Sequence, residues 1–265
     1  MSQAERLRSL KRLGRRRHRD QERRFLVEGP QAVRELAGWC PDSVVEVMLA
    51  EHRNEAARSV GEAARAAGVP VTEVSDRALG GLTETENPQG ILAVSRYLPE
   101  LDLGGLEPVA GTGIVVVLHD VRDPGNAGTI LRTADAVAAQ GVVFAGHSVD
   151  PYNGKVIRSS AGSLFHVPFT RAPQTPSALE ALDASGFRVL GTRLDAPLVL
   201  GEHDCGLDAP TAWVFGSEAH GLPDGLPLRE SVRLPIYGAA ESLNLAAAAA
   251  VCLYASATAQ RGISD

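Results

Sequence analysis

Apolar residues recur along this chain in short runs, and between the runs they fall at helical spacing. Phe25-Leu-Val opens the pattern and leads through Glu28-Gly-Pro-Gln into Ala32-Val33-Arg34-Glu35-Leu36. Pro30 suits a first helical position, where no N–H is required. Residues 44–49 read as a strand, and Asn54 can cap a helix to about Ala67 that Gly68 closes. Residues 69–74 return to a strand, Ser75 can cap a short helix, and 90–95 form another strand. A second alternating series follows: strand 114–118, helix 127–139, strand 142–145, helix 152–161, strand 166–170, helix 177–185 and strand 187–192. Strands 212–215 and 231–234 and a helix over 243–259 complete it. Apolar strands separated by helices predict an α/β fold whose sheet is mostly parallel and covered on both faces.

At 265 residues the chain exceeds the roughly 100–200 residues of one domain, so two domains are expected. Residues 98–112 carry Pro99, Gly104, Gly105, Pro108 and Gly111 with little periodicity and read as a linker. The expected organisation is a basic arm over 1–24, a small domain over 25–97, the linker, and a second domain over 113–265. An apolar fraction of 44% with 22% charged residues describes an ordinary globular protein and excludes disordered and collagen-like classes. The most apolar stretch, 243–259, is short, alanine-rich and interrupted by polar residues, so it reads as a buried helix and no membrane span. Cys40, Cys205 and Cys252 are widely separated and lack zinc-ligand spacing. A reducing cytoplasm and no metal are therefore expected.

The net charge of −6 changes meaning when it is resolved along the chain. Residues 1–24 hold ten of the 26 basic residues and three acids, which leaves 16 basic residues against 29 acidic ones in the remainder. Screening over roughly 8–10 Å lets a polyanion respond to the arm and not to the total. The alternative is a solvated tail.

Three segments carry candidate chemistry. The first, 118–132, is a strand, a Pro-Gly turn and a helix start; Asn126 lies near its turn, and Arg132 projects opposite the stripe of Ile130, Leu131, Ala134, Val137 and Ala138. Such loops, beyond the carboxyl ends of strands, are where open α/β sheets bind ligands. The second is Trp213-Val-Phe-Gly-Ser-Glu-Ala-His-Gly-Leu, in which Gly216 and Gly221 permit close approach and Glu218 offers a carboxylate. It is not a dinucleotide fingerprint, and the chain has no Walker sequence. The third, Leu234-Pro-Ile-Tyr-Gly-Ala-Ala-Glu-Ser-Leu-Asn-Leu, brings Ser242 and Asn244 to a helix N-terminus. Read singly, Arg132 is an exposed helix arginine, and Asn126, Ser242 and Asn244 are capping residues.

In this order and setting, the three segments resemble the signature motifs of the SpoU/TrmH family of RNA ribose 2′-O-methyltransferases. Phe25-Leu-Val-Glu-Gly and Asn87-Pro-Gln-Gly-Ile-Leu-Ala-Val also look like that family's substrate-binding domain, a small α/β RNA-binding unit resembling a ribosomal-protein fold. The likeness spans about residues 20–258. It implies a SPOUT methyltransferase domain with a deep trefoil knot, an obligate homodimer, and S-adenosylmethionine as cofactor. It assigns Gly216, Leu234 and Leu243 to the adenosine moiety, and Asn126, Arg132, Glu218, Ser242 and Asn244 to the reacting side. Two departures are mild: Leu234-Pro-Ile stands for the commoner Ile-Pro-Met, and Ala246 for a frequent serine.

The implied reaction moves a methyl group to a ribose 2′-hydroxyl of RNA. In the family the motif-one arginine is described as general base, which would be Arg132. A guanidinium with a pKa above about 12 resists that role, so Arg132 is expected to clamp a phosphate and stabilise the developing alkoxide, with the proton acceptor left open. The arm and the separate first domain suit ribosomal RNA better than tRNA, and a role in antibiotic resistance fits some relatives. The rivals are a non-catalytic RNA-binding protein and a dinucleotide oxidoreductase.

Overall fold

The computed structural model describes residues 3–109 and 111–262, and these divide into two compact units. One comprises the chain up to Pro99 together with Asp150–His166. The other comprises Glu100–Val149 and the chain from Val167 onward.

The first unit begins with two helices, α1 (Gln3–Arg12) and α2 (Arg16–Glu22). Residues 1–24, expected as an arm, are therefore folded wherever they are described. Leu10 and Leu13 sit at helical spacing and are buried in a cluster with Met48, Leu79, Leu92 and Val94. Behind them come β1 (Arg24–Glu28), α3 (Pro30–Trp39), β2 (Val44–Ala50), α4 (Glu55–Ala66), β3 (Val71–Val74), α5 (Asp76–Gly80) and β4 (Ile91–Arg96). Asn54 and Ser75 cap α4 and α5, accepting from the N–H groups of Ala57 and Ala78. The sheet order is β1-β4-β2-β3, antiparallel except for the parallel β2–β3 pair. Alternation along β2 sends Met48 and Ala50 to the α1 side. Gly61 of α4 lies where any Cβ would stand 2.5 Å from Leu49 Cδ1, so a glycine is what lets α4 approach the sheet.

In the second unit β5 (Ile114–His119), α6 (Pro124–Ala136) and β6 (Gly141–Ala145) precede an excursion that belongs to the first unit and carries α7 (Gly154–Ser159). The expected second domain, 113–265, includes residues 150–166, which cluster with the first unit. Their chemistry explains this placement: Tyr152 stacks on Tyr97 with ring centroids 4.0 Å apart, lies 4.5 Å from Phe25, and accepts a hydrogen bond from Leu98 N. Asp150 accepts from Arg19 Nε and Nη2 at 3.0 and 2.5 Å, and both side chains are 4% exposed.

The chain then forms β7 (Phe169–Ala172), α8 (Thr175–Ala184), β8 (Arg188–Thr192), β9 (Leu198–Val199), β10 (Thr211–Phe215), β11 (Glu230–Arg233) and α9 (Leu245–Arg261). Seven parallel strands stand in the order β7-β6-β5-β10-β8-β11-β9. Val115, Val117, Ala212 and Val214 face Leu179 and Leu182 of α8. On the other face, Trp213 Nε1 donates to the buried Ser256 Oγ of α9 at 2.9 Å, and α9 packs on α6. Gln260 bonds Gly113 and Ala209, tying the end of α9 to the residues that precede β5 and β10.

Several boundaries differ from expectation. The α6 helix starts three residues earlier than 127, because Asp123 caps it and Pro124 takes the first position. It ends at Ala136, so Ala138 falls beyond it at φ 50 and is exposed, outside the expected stripe. Strand β7 begins after Pro168, not at 166. The expected linker is partly structural: Leu103 and Leu106 pack on the α8 cluster, and Leu101 N donates to Phe169 O. The two-residue β9 and the helices of the arm had no expected counterpart.

Candidate active site

The order of the parallel sheet creates the site. From β5 the chain builds outward through β6 and β7, then crosses to build β8 on the far side, and β10 returns to lie between β5 and β8. Neighbouring strands whose connections leave in opposite directions open a crevice at their carboxyl ends. The loops after β5 and β10 emerge there, one carrying Asp123 to Asn126 and the other Gly216 to Gly221.

Because Asp123 caps α6, its carboxylate accepting from Asn126 N at 2.9 Å, the Asn126 side chain is free for other partners. Asn126 Nδ2 donates to Glu218 Oε1 at 2.5 Å, and Asn126 Oδ1 accepts from Asn244 Nδ2 at 3.1 Å. One residue from each of the three sequence motifs thus joins a single chain of hydrogen bonds. Asn244 fills two roles at once, since its Oδ1 caps α9 by accepting from Ala246 N and Ala247 N.

Beside this chain lies a cavity of about 640 Å³. Gly216, Glu218, Leu234, Ser242, Leu243 and Asn244 all line it. Asn126 is not in its lining, and Arg132 is not either: it is exposed on α6 and makes no hydrogen bond or ion pair with the described residues. The structure therefore brings seven of the eight candidate residues together and leaves Arg132 outside. Gly216 is required where it stands, for a Cβ there would lie 2.2 Å from the Gly221 carbonyl carbon and 2.6 Å from Leu222 N.

Residues the motifs did not single out complete the cavity. Thr192 ends β8, the other neighbour of β10, and Arg193, Leu194 and Asp195 follow it. Arg193 is held by Asp195 at 3.2 Å and Asp224 at 2.8 Å, and these hydrogen bonds push its pKa up from the usual value. A strand end next to β10 was the available signal, but only the strand order identifies β8 as that neighbour.

The cavity fits a nucleoside-sized cofactor. Ligand sites of this kind span about 300–1,000 Å³ and combine an apolar lining with a few convergent polar groups. Here Leu222, Leu234, Ile236 and Leu243 offer apolar surface, while Thr192, Asp195, Glu218 and Ser242 offer acceptors and hydroxyls for ribose and ammonium groups.

The chain matches the SpoU rRNA Methylase family over residues 113–254 and an MRM3-like substrate binding domain over residues 4–93. It is 35% identical over 248 residues to the 23S rRNA (guanosine(2553)-2'-O)-methyltransferase RlmP of Bacillus subtilis, covering 92% of each chain. It is 34% identical over 256 residues to a 23S rRNA (uridine(2479)-2'-O)-methyltransferase of Streptomyces viridochromogenes, covering 91% of this chain and 85% of that one. Among solved structures, the SpoU methyltransferase AviRb of Streptomyces viridochromogenes in complex with AdoMet superposes with a TM-score of 0.81 at 28% identity, covering 97% of this chain and 98% of that one. The three hydrogen-bonded motifs, the parallel sheet that joins them and these likenesses lead to one conclusion: the chain belongs to the SpoU rRNA methylase family.

Proposed function

We propose that this protein transfers a methyl group from S-adenosylmethionine to a ribose 2′-hydroxyl of 23S ribosomal RNA. The observation that carries the reading is the convergence of Gly216, Glu218, Leu234, Ser242, Leu243 and Asn244 on one cavity at the carboxyl end of β10, in a chain whose full-length relatives act on 23S rRNA. The cofactor supplies an electrophilic sulfonium methyl. The chain's own residues bind and orient: Gly216, Leu234 and Leu243 hold the adenosine moiety, while Asn126, Glu218, Ser242 and Asn244 order the reacting side. Positioning of this kind contributes several kcal/mol to a displacement at carbon.

Two features support a homodimer. Along α9, Ala247, Val251, Tyr254 and Thr258 form an exposed stripe in which Val251 is 49% and Tyr254 54% exposed, and Leu243 adds apolar surface nearby in sequence. Arg132 stands free on α6, the helix that packs on α9, and in a dimer it serves at the subunit interface, clamping a phosphate of the RNA. The segment between β11 and α9 threads a loop as a trefoil knot, a reading that rests on family membership. The exposed guanidinium groups of Arg8, Arg12, Arg15, Arg16 and Arg17 on the first unit form an electrostatic footprint for RNA. With ribosomal RNA as substrate, we infer a cytoplasmic protein.

The test is site-resolved mapping of 2′-O-methyl groups in ribosomal RNA and tRNA from cells with and without the gene. One 23S position that loses its methyl in the deletion strain and regains it with the purified protein is the expected result. A lost methyl confined to tRNA, or none, overturns the reading.

A further inference from the structure

The loop over residues 217–221 contributes to two cavities. Beyond the one already described, a second groove of about 330 Å³ is lined by His119, Asp120, Arg122 and Pro223 and shares Ser217 to Gly221 with the first. The two cavities differ in chemistry. The first has leucine and isoleucine walls, whereas the second has imidazole, carboxylate and guanidinium groups and no aliphatic side chain beyond alanine and proline. Displacement at a methyl carbon requires the incoming oxygen opposite the departing sulfur, so donor and acceptor approach from different sides. Two dissimilar grooves that meet at Glu218 offer separate, adjacent seats for donor and acceptor.

Asp120 is the built feature of the second groove. It directly follows β5 at φ 54, a left-handed conformation uncommon outside glycine, and its Oδ1 accepts from His147 N at 2.7 Å. Gly146 makes room for it, since a Cβ there would lie 2.3 Å from Asp120 Oδ1. The carboxylate remains 30% exposed at the groove. Beside it, His119 is held by Thr175 Oγ1 at 2.8 Å, and Arg122 is exposed with no hydrogen bond or ion pair to the described residues.

We propose that this groove seats the methyl-accepting nucleotide, with Asp120 as a positioning residue that accepts hydrogen bonds from its base and Arg122 holding an adjoining phosphate. The inference rests on the 2′-O-methyltransferase reading. An ionised carboxylate accepts and does not donate. Guanine alone among the four bases sets a ring N–H directly beside an amino group on its pairing edge, a match for Oδ2 together with the second lone pair of Oδ1, whose first takes the His147 N–H, so the groove selects guanosine. The forked donors of Arg122 suit phosphate oxygens.

The competing explanation is a turn whose carboxylate merely accepts the His147 N–H. Asp120→Asn separates the two, because asparagine tolerates positive φ and can still accept that N–H, yet it offers a donor where the base requires an acceptor. The measurements use full-length protein and unmodified, transcribed 23S rRNA: RNA affinity without cofactor, S-adenosylhomocysteine affinity by calorimetry, and single-turnover transfer. For Asp120→Asn the melting temperature and S-adenosylhomocysteine affinity stay at wild-type values while the RNA concentration for half-maximal transfer rises about tenfold, the scale of one charge-assisted hydrogen bond. Arg122→Gln weakens RNA binding without cofactor and lowers the log–log salt slope by about 0.7–0.9. The mapped methyl lies on a guanosine. Unchanged RNA dependence in Asp120→Asn, loss of S-adenosylhomocysteine binding in that variant, or a methyl mapped to another base overturns the proposal. A wild-type protein that binds S-adenosylhomocysteine but methylates no ribose overturns the parent reading first.

Discussion

At the scale of single residues, Asn126 shows how one side chain changes meaning between sequence and structure. As a helix cap it would have spent its oxygen on α6; with Asp123 in that position, Asn126 links Glu218 to Asn244. Arg132 has the opposite character, charged and exposed, its side chain without a partner among the described residues. If it stabilises charge at the reacting hydroxyl, Arg132→Ala leaves the melting temperature and cofactor affinity unchanged and cuts single-turnover methyl transfer by about 10²–10³, the effect of one preorganised donor. Near wild-type transfer would return it to an ordinary surface arginine. The cysteines differ for a simpler reason. Burial pushes the Cys252 thiol up to about 12, with a further push from nearby Cys205, and 0% exposure closes it to reagents. Cys40 is only half-buried and its thiol is raised less. At pH 8, where Cys252 holds its proton, a thiol reagent should therefore modify Cys40 first and Cys252 only on unfolding. Prompt labelling of Cys252 in the native protein, read by mass spectrometry, would contradict this.

Among elements, the first two helices and the excursion around α7 depend on each other. Arg19 of α2 donates to Leu13 O, Gly14 O and twice to Asp150, at 4% exposure. Removing one partner strands the other charge away from water, a cost of about 3–5 kcal/mol for a buried pair. Arg19→Met should lower stability by that order in urea unfolding and release both segments to proteolysis; a loss below about 1 kcal/mol would show that the pair is dispensable. The same contacts mean that deleting residues 1–24 removes more than positive charge, because Leu10 and Leu13 leave the core with them. The basic character of this region was legible from composition alone. Its helical fold was legible only in part, since leucines at 7, 10 and 13 have the right spacing but ten basic residues read first as a solvated arm. Asp150, the partner that fixes Arg19, is 131 positions away in sequence, and no local pattern indicates it.

Over the whole molecule, the exposed stripe on α9 bears on assembly. Val251→Asp with Tyr254→Asp should convert a dimer to monomers in sedimentation analysis and abolish transfer while leaving the fold measurable by circular dichroism; a dimer that survives both charges would place the interface elsewhere. The sequence by itself determined the α/β class, most elements of the second unit to within a few residues, and the three polar motifs. It could do so because strand and helix periods, caps and glycine turns are local, written within a dozen residues. Tertiary structure decided the rest. Which strand lies beside β10, and hence that 192–195 joins the cavity, follows from the order of a sheet whose neighbours are up to about a hundred residues apart. That Asp120 faces a second groove, and that 150–166 packs with the first unit, follow from side chains meeting only after the chain has folded. The physical reason is the same in each case: hydrophobic burial rewards apolar residues wherever they are in the chain, so a sequence reveals that a face will be covered without revealing what covers it.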